Sequence, residues 1–272
     1  SGRYTIPELT SFENCLTDAR EIPIVPMLIT PLACGAISGF HATQSPLMAR
    51  CMRSEGESRS VFYGAMISES IVALIWAAIG MAFWGDVAGL NAAIARYDGQ
   101  AAILIDLIAT ETLGPVLAAI VIIGVVACAI TSGDTAFRSA RLIVADFLGI
   151  EQRSLRKRIW ISLPLFAAGL VIIFALPFQV MWSYFAWMNQ TLAVVTLWMI
   201  VVYFARRGRG VAVGLIPALI MTYVCASYIF VSPLMFGMHN RVAAYVLGGV
   251  LTLAMLVWII IKLHRDHAKG NA

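Results

Sequence analysis

Charge is scarce in this chain. Only 12% of its 272 residues are charged, against about 25% in an ordinary soluble domain. A water-soluble fold of this size has too little charged surface to cover itself, which excludes a soluble enzyme, a nucleic-acid binder and a disordered chain. Neither sign dominates: 19 basic residues face 15 acidic ones, and the formal net charge of +4 indicates no nucleic-acid partner. Cysteines are few and odd in number: Cys15, Cys34, Cys51, Cys128 and Cys225. They form no Cys-x-x-Cys or Cys/His spacing, which argues against a disulfide framework and a zinc site. No Gly-x-x-x-x-Gly-Lys-Ser/Thr occurs, so no ATP hydrolysis is expected of the chain itself. No His-Glu-x-x-His occurs, and no serine–histidine arrangement recurs on neighbouring helices, which speaks against an intramembrane enzyme. The first 20 residues are polar and partly acidic, unlike a signal peptide. The chain opens Ser-Gly-Arg without a methionine and reads as a fragment or processed product of something longer.

What is abundant is apolar sequence: 60% of residues, with a mean hydropathy of +0.85. A membrane-spanning helix needs roughly 20 apolar residues. Six stretches qualify: Phe62–Trp84, Gly114–Ile130, Ile159–Leu176, Val180–Phe204, Val211–Val231 and Val242–Ile261. A seventh, Ile24–Ile37, is short and runs into the polar Ser38-Gly39-Phe40-His41-Ala42-Thr43-Gln44-Ser45-Pro46 before Leu47-Met48-Ala49 resumes. That pattern predicts one crossing interrupted by a polar, glycine-bearing break. The expected fold is therefore an all-α membrane protein of about seven crossings, the first one broken. Its expected parts are an extracytoplasmic segment 1–23, a transmembrane domain 24–262 and a cytoplasmic tail 263–272.

Basic residues set orientation through the loops they occupy. Arg50, Arg53 and Arg59 follow the broken crossing, and Arg138, Arg141, Arg153, Arg156, Lys157 and Arg158 follow the third. Arg206, Arg207 and Arg209 come next, then Lys262, His264, Arg265, His267 and Lys269 at the end. The intervening loops are acidic or weakly charged. This alternation supports seven crossings, an outside N-terminus and a cytoplasmic C-terminus. In the loop of about 85–113, Leu90, Ile94 and Tyr97 share one helical face, as do Leu104, Leu107 and Ile108. Two short surface helices are expected there, broken near Asp98-Gly99.

Lipid cannot hydrogen-bond a backbone, so irregular chain at membrane depth must be buried or line a cavity. Broken helices expose half-helix dipoles that bind anionic substrates or cations. Gly35 and Gly39 permit unwinding, while Ser38, His41, Thr43, Gln44 and Ser45 supply donors and acceptors. Gly35, Ser38, Gly39, His41, Thr43 and Gln44 are the expected substrate site; the bland reading is a shorter helix ending in an ordinary loop. Thr131, Asp134, Arg138 and Arg141 form one stripe on a helix, and Asp134 and Arg138 are spaced to pair. Thr131 and Ser132 offer hydroxyl ligands for sodium, Asp134 can carry a proton, and the Asp134–Arg138 pair with Arg141 can act as an inner gate. The competing reading is an interfacial helix end with snorkelling arginines. Glu69, flanked by Ser68 and Ser70, lies within a crossing and is either a coupling-proton carrier, its pKa raised by burial, or a structural hydrogen-bonding group. Asn189-Gln190-Thr191 reads as glue between helices. Trp182, Tyr184, Phe185 and Trp187 read as an interfacial belt, and Arg153 to Arg158 as the stretch that sets orientation and touches anionic lipid.

The strings "ACGAISGFHATQSPLMARC", "VFYGAMISESIVALIWAAIGMAFWG" and "TSGDTAFRSARLIVADFLGI" resemble the carbon starvation protein A family of bacterial inner-membrane transporters. The resemblance covers residues from about 20 to 160, continues less distinctively beyond, and corresponds to the C-terminal part of longer family members. It implies import of peptides or of a small carboxylate such as pyruvate during carbon starvation, with no cofactor and a proton or sodium ion as the coupling ion. It also implies the fold of the amino acid–polyamine–organocation transporters, of which this chain would supply the second inverted repeat plus two extra helices. The partners implied are the bilayer, a small-molecule substrate and the missing N-terminal half. A membrane sensor or scaffold that binds a ligand without transport is the alternative.

Overall fold

A computed structural model describes residues 22–32, 35, 37–97 and 99–270. Among these the chain is helical throughout, without a strand. Six helices are long and apolar enough to cross a membrane, which makes this an all-α, multi-pass membrane protein. The described chain divides into two compact units, 63–171 and 22–62 with 172–270.

The first unit contains α3 (Ala65–Phe83), α4 (Val87–Arg96), α5 (Ala101–Leu113), α6 (Pro115–Leu148) and most of α7 (Leu155–Ala175). Asp86 caps α4 by accepting from the Gly89 N–H at 2.6 Å. The two short helices expected between crossings are α4 and α5. They are separated by Gly99, whose φ of 69° needs a glycine; Asp98 lies outside the described residues. Pro115 opens α6, where its missing N–H costs nothing. Gly149 closes it in a left-handed conformation (φ 65°), with the Ile150 N–H returning to the Ala145 carbonyl at 2.9 Å.

At 34 residues, α6 is about 51 Å long. The crossing expected to end at Ile130 continues without interruption through the polar segment after it. Its hydroxyls do not break it because they turn inward: Thr131 donates to the Cys128 carbonyl at 3.0 Å, Thr135 to Thr131 at 2.8 Å and Ser139 to Thr135 at 3.1 Å.

The second unit is built on α8 (Phe178–Arg206), α9 (Ala212–Val231) and α10 (Arg241–Gly270). Its core joins Trp198, Val201, Ala218, Met221, Cys225 and Ile259. Small residues let these helices approach closely, as helices in lipid do. A Cβ on Gly214 would lie 3.3 Å from Ile200 and Val201 of α8, and one on Gly248 would meet the Ser227 backbone of α9. The Trp198 indole donates to Thr222 Oγ1 at 2.9 Å, and the Trp187 indole to the Cys225 carbonyl at 3.1 Å. Trp187 therefore ties α8 to α9 rather than joining an interfacial belt. Of its expected companions, Trp182 and Phe185 are exposed, and the Tyr184 hydroxyl donates to the Leu234 carbonyl at 3.0 Å.

The short elements of this unit are a π-helical turn Ile24–Leu28, α1 (Ile29–Leu32) and α2 (Gly39–Cys51). The polar stretch expected to interrupt a first crossing is itself helical. The chain is already helical from Gly39, and α2 carries His41, Thr43, Gln44, Ser45 and even Pro46 inside it. Before them α1 ends at Leu32, and Ser38 is extended at the start of α2. Of this stretch, Ala33, Cys34 and Ala36 lie outside the described residues, as does the whole segment 1–21.

Candidate functional site

Ser38 is extended (φ −132°, ψ 144°) and buried, and it caps α2 by accepting from the Phe40 N–H at 3.0 Å. The cap is shared with α8. Asn189 Oδ1 accepts from the same Phe40 N–H at 3.0 Å, and Asn189 Nδ2 donates to Ser38 Oγ at 3.0 Å. Gly39 is buried against α8, and a Cβ there would stand 2.5 Å from the Asn189 carbonyl oxygen and 2.8 Å from Leu192 Cβ. Only glycine fits at that approach. Gln190, the next residue of α8, is fully buried, and its side-chain amide finds no hydrogen-bond partner in the chain.

This arrangement brings Ser38 and Gly39 together with Asn189 and Leu192, residues 150 positions away. The remaining expected substrate residues follow on α2. The hydroxyl of Thr43 donates to the Phe40 carbonyl at 3.0 Å and that of Ser45 to the His41 carbonyl at 2.7 Å. Gln44 Nε2 reaches Thr43 Oγ1 at 3.5 Å. His41 sits half-buried in the first turn. Gly35 is exposed, with open space where a Cβ would stand. A helix start at a break, capped by polar side chains from two elements, is a place where a carboxylate can exchange with a protein acceptor for backbone N–H groups. Sequence reasoning took Asn189 for glue, and it is glue. The signal that it also belongs to the break was its polarity at mid-crossing.

The second group of expected site residues lies on α6. Arg138 Nη2 and Asp134 Oδ2 are 2.6 Å apart, and both side chains are more than half exposed. Thr131 and Ser132 are exposed one turn before them. Arg141, next along the stripe, lines a cavity of about 420 Å³ together with Asp134, Phe137, Arg138, Arg158, Ser162 and Phe166. The Phe137 and Phe166 rings lie with centroids 4.2 Å apart.

Glu69 sits on α3 between two serines whose hydroxyls return to their own helix, Ser68 to the Gly64 carbonyl at 3.0 Å and Ser70 to Met66 at 2.8 Å. It was expected to be buried, and it is exposed on the surface of its unit. The reason is the helix it sits on: no residue of α3 is buried by the rest of the chain.

Among the described residues no group of His, Cys, Asp or Glu could hold a metal ion. Cys225 is buried and unpaired, while Cys51 and Cys128 are exposed free thiols; Cys15 and Cys34 lie outside the described residues.

The family model for carbon starvation protein CstA matches residues 1–99. An uncharacterized protein of Haemophilus influenzae is 47% identical over 105 residues, which is 39% of this chain and 75% of that protein. The peptide transporter CstA of Bacillus subtilis is 27% identical over 287 aligned positions, covering 86% of this chain and 47% of the relative. The pyruvate/proton symporter BtsT of Escherichia coli is 42% identical over 71 residues, 26% of this chain and 10% of that protein. The chain thus spans about half the length of the Bacillus subtilis transporter. No solved structure matches.

Proposed function

The chain belongs to the carbon starvation protein CstA family, and from that premise we propose that it forms part of a secondary active transporter. The cargo is a short peptide or a small carboxylate such as pyruvate, imported down a proton or sodium gradient in the carbon-starvation response. The membrane is the bacterial inner membrane, with residue 1 outside and residue 272 in the cytoplasm. Two of its relatives are named as a peptide transporter and a pyruvate/proton symporter. The observation that carries the reading is the buried helix restart at Ser38-Gly39, held by Asn189. A soluble-facing loop has no need to bury its cap, whereas a half-helix pole at membrane depth must have its N–H groups satisfied.

In this reading Gly35, Ser38, Gly39, His41, Thr43 and Gln44 form one wall of the substrate site. The α2 start supplies backbone donors for a carboxylate, with Asn189 holding the pole when substrate is absent. Thr131, Ser132 and Asp134 on α6, and Glu69 on α3, are the ion-coupling groups. Arg138 and Arg141 gate the cytoplasmic end. The N-terminal half of the transporter completes the cavity.

The test is uptake of labelled pyruvate and labelled dipeptides into vesicles holding the full-length transporter, with the proton and sodium gradients collapsed separately. Accumulation that stops with one gradient identifies the coupling ion. Ligand binding without accumulation under either gradient overturns the transport reading in favour of a sensor.

A further inference from the structure

Three guanidinium groups and one carboxylate surround the cavity between α6 and α7. Arg138 is paired with Asp134 at 2.6 Å, so Arg141 and Arg158 bring positive charge that no acidic side chain of the cavity balances. Two features mark these two arginines as set for a ligand. The Nε of Arg141 is buried and has no hydrogen-bond partner among the described residues, and a buried donor left so costs free energy that an incoming acceptor recovers. Arg158 is held in place by its own Nε, which donates to the Gln152 carbonyl at 2.6 Å, and its terminal nitrogens extend the fork beyond that bond. Ser162, one turn further along α7, adds a hydroxyl to the same wall.

The depth of the cavity points to what it takes. Arg138 lies 23 residues beyond the start of α6, about 35 Å along the helix. The hydrocarbon slab is about 30 Å thick. Arg158 lies in the first turn of α7, at the same end of its helix pair. An α6 that entered the slab at Pro115 would leave it before Arg138, which would set the cavity at the level of lipid phosphates. Its floor is apolar, made by the Phe137 and Phe166 rings.

We propose that this cavity is a binding site for an anionic phosphate group, held by the forked donors of Arg141 and Arg158 with Ser162, either in the headgroup of a phospholipid with net negative charge or as free inorganic phosphate. Arginine suits this role because its planar fork donates to two phosphate oxygens at once.

The full-length protein is placed in nanodiscs of phosphatidylcholine, with or without phosphatidylglycerol. Native mass spectrometry reads retained phosphatidylglycerol. In the phosphatidylcholine discs, equilibrium dialysis reads labelled inorganic phosphate. At least one arm shows saturable binding, and which arm does so identifies the source. Arg141→Gln and Arg158→Gln each weaken that binding about tenfold or more. Arg158→Lys, which keeps the charge and loses the fork, weakens it less. Arg153→Gln, in the same basic stretch but outside the cavity wall, leaves it unchanged. The proposal is overturned if neither arm saturates, or if Arg153→Gln weakens binding as much as the cavity variants do.

Discussion

Ser38 and Asn189, 151 residues apart in the chain, are joined by an amide donating to a hydroxyl at 3.0 Å, and both accept from the one N–H of Phe40. A helix start that is normally closed by a single local residue is here closed from two elements. The stability of α8 packing and the occupancy of the α2 pole are thereby linked. Replacing Asn189 by Ala leaves the Ser38 cap in place and removes the tie. We expect a loss of about 1–3 kcal/mol, read as a lower unfolding temperature of the detergent-solubilised full-length protein. In vesicles, Asn189→Ala is expected to lower uptake. Unchanged unfolding together with unchanged uptake would remove Asn189 from the break.

Gly35 lies between α1 and α2 and Gly39 opens α2, and the two predict opposite outcomes. A methyl on Gly39 runs into the Asn189 backbone oxygen, which cannot move without shifting α8. Overpacking of this kind costs about 1–3 kcal/mol, so Gly39→Ala is expected to lower thermal stability and uptake together. A methyl on Gly35 meets nothing within 4 Å, so Gly35→Ala is expected to leave thermal stability unchanged. Equal losses at both positions would show that freedom of the backbone, not the close approach, is what the break requires.

Much of this was legible beforehand, and the misreadings have a common cause. Apolar run length located the six long helices, because a lipid solvent imposes length and composition directly. Apolar periodicity, with a break near Asp98-Gly99, located α4 and α5. Local polarity placed a break at 38–46, whereas those residues from Gly39 on belong to α2, whose start no polar pattern marks. Its actual position is set by contacts no local pattern records: the Asn189 cap and the fit of Gly39 against Leu192. The helical stripe expected from Thr131 to Arg141 is present: the apolar run ends at Ile130, but the hydroxyls after it bond back to their own helix and α6 continues to Leu148. Asp134, Arg138 and Arg141 were legible as a stripe. That Arg158 and Ser162 of α7 face the same cavity was not, since spacing along one helix says nothing about the helix opposite.

Asp134 and Glu69 allow a separation of coupling from stability. The Asp134–Arg138 pair is solvent-facing in its unit, with side chains 65% and 56% exposed. Such pairs contribute below about 0.5 kcal/mol after screening. Asp134→Asn and Glu69→Gln are therefore expected to leave insertion and unfolding temperature unchanged while reducing gradient-driven accumulation in vesicles. If both variants accumulate substrate normally, neither carboxylate carries the coupling ion.

Gly248 and Ser227 test how α9 and α10 are held together without any bearing on substrate. Ser227 is fully buried and its hydroxyl has no partner in the chain. A buried, unpaired hydroxyl is a cost, so Ser227→Ala is expected to be neutral or slightly stabilising. A methyl on Gly248 would press on both that hydroxyl and the Ser227 Cα and N, each at 3.1 Å. The hydroxyl can be deleted, but the backbone atoms cannot. Gly248→Ala is thus expected to destabilise by about 1–3 kcal/mol, and adding Ser227→Ala is expected to recover only part of that loss. Gly124→Ala on α6, where a methyl meets nothing within 4 Å, serves as the reference for a glycine replaced in an unobstructed helix. Thermal unfolding of the single and double variants gives the coupling. Full recovery in the double variant would place the obstruction in the serine side chain alone, and would mean that the two helix backbones stand further apart than the structure has them.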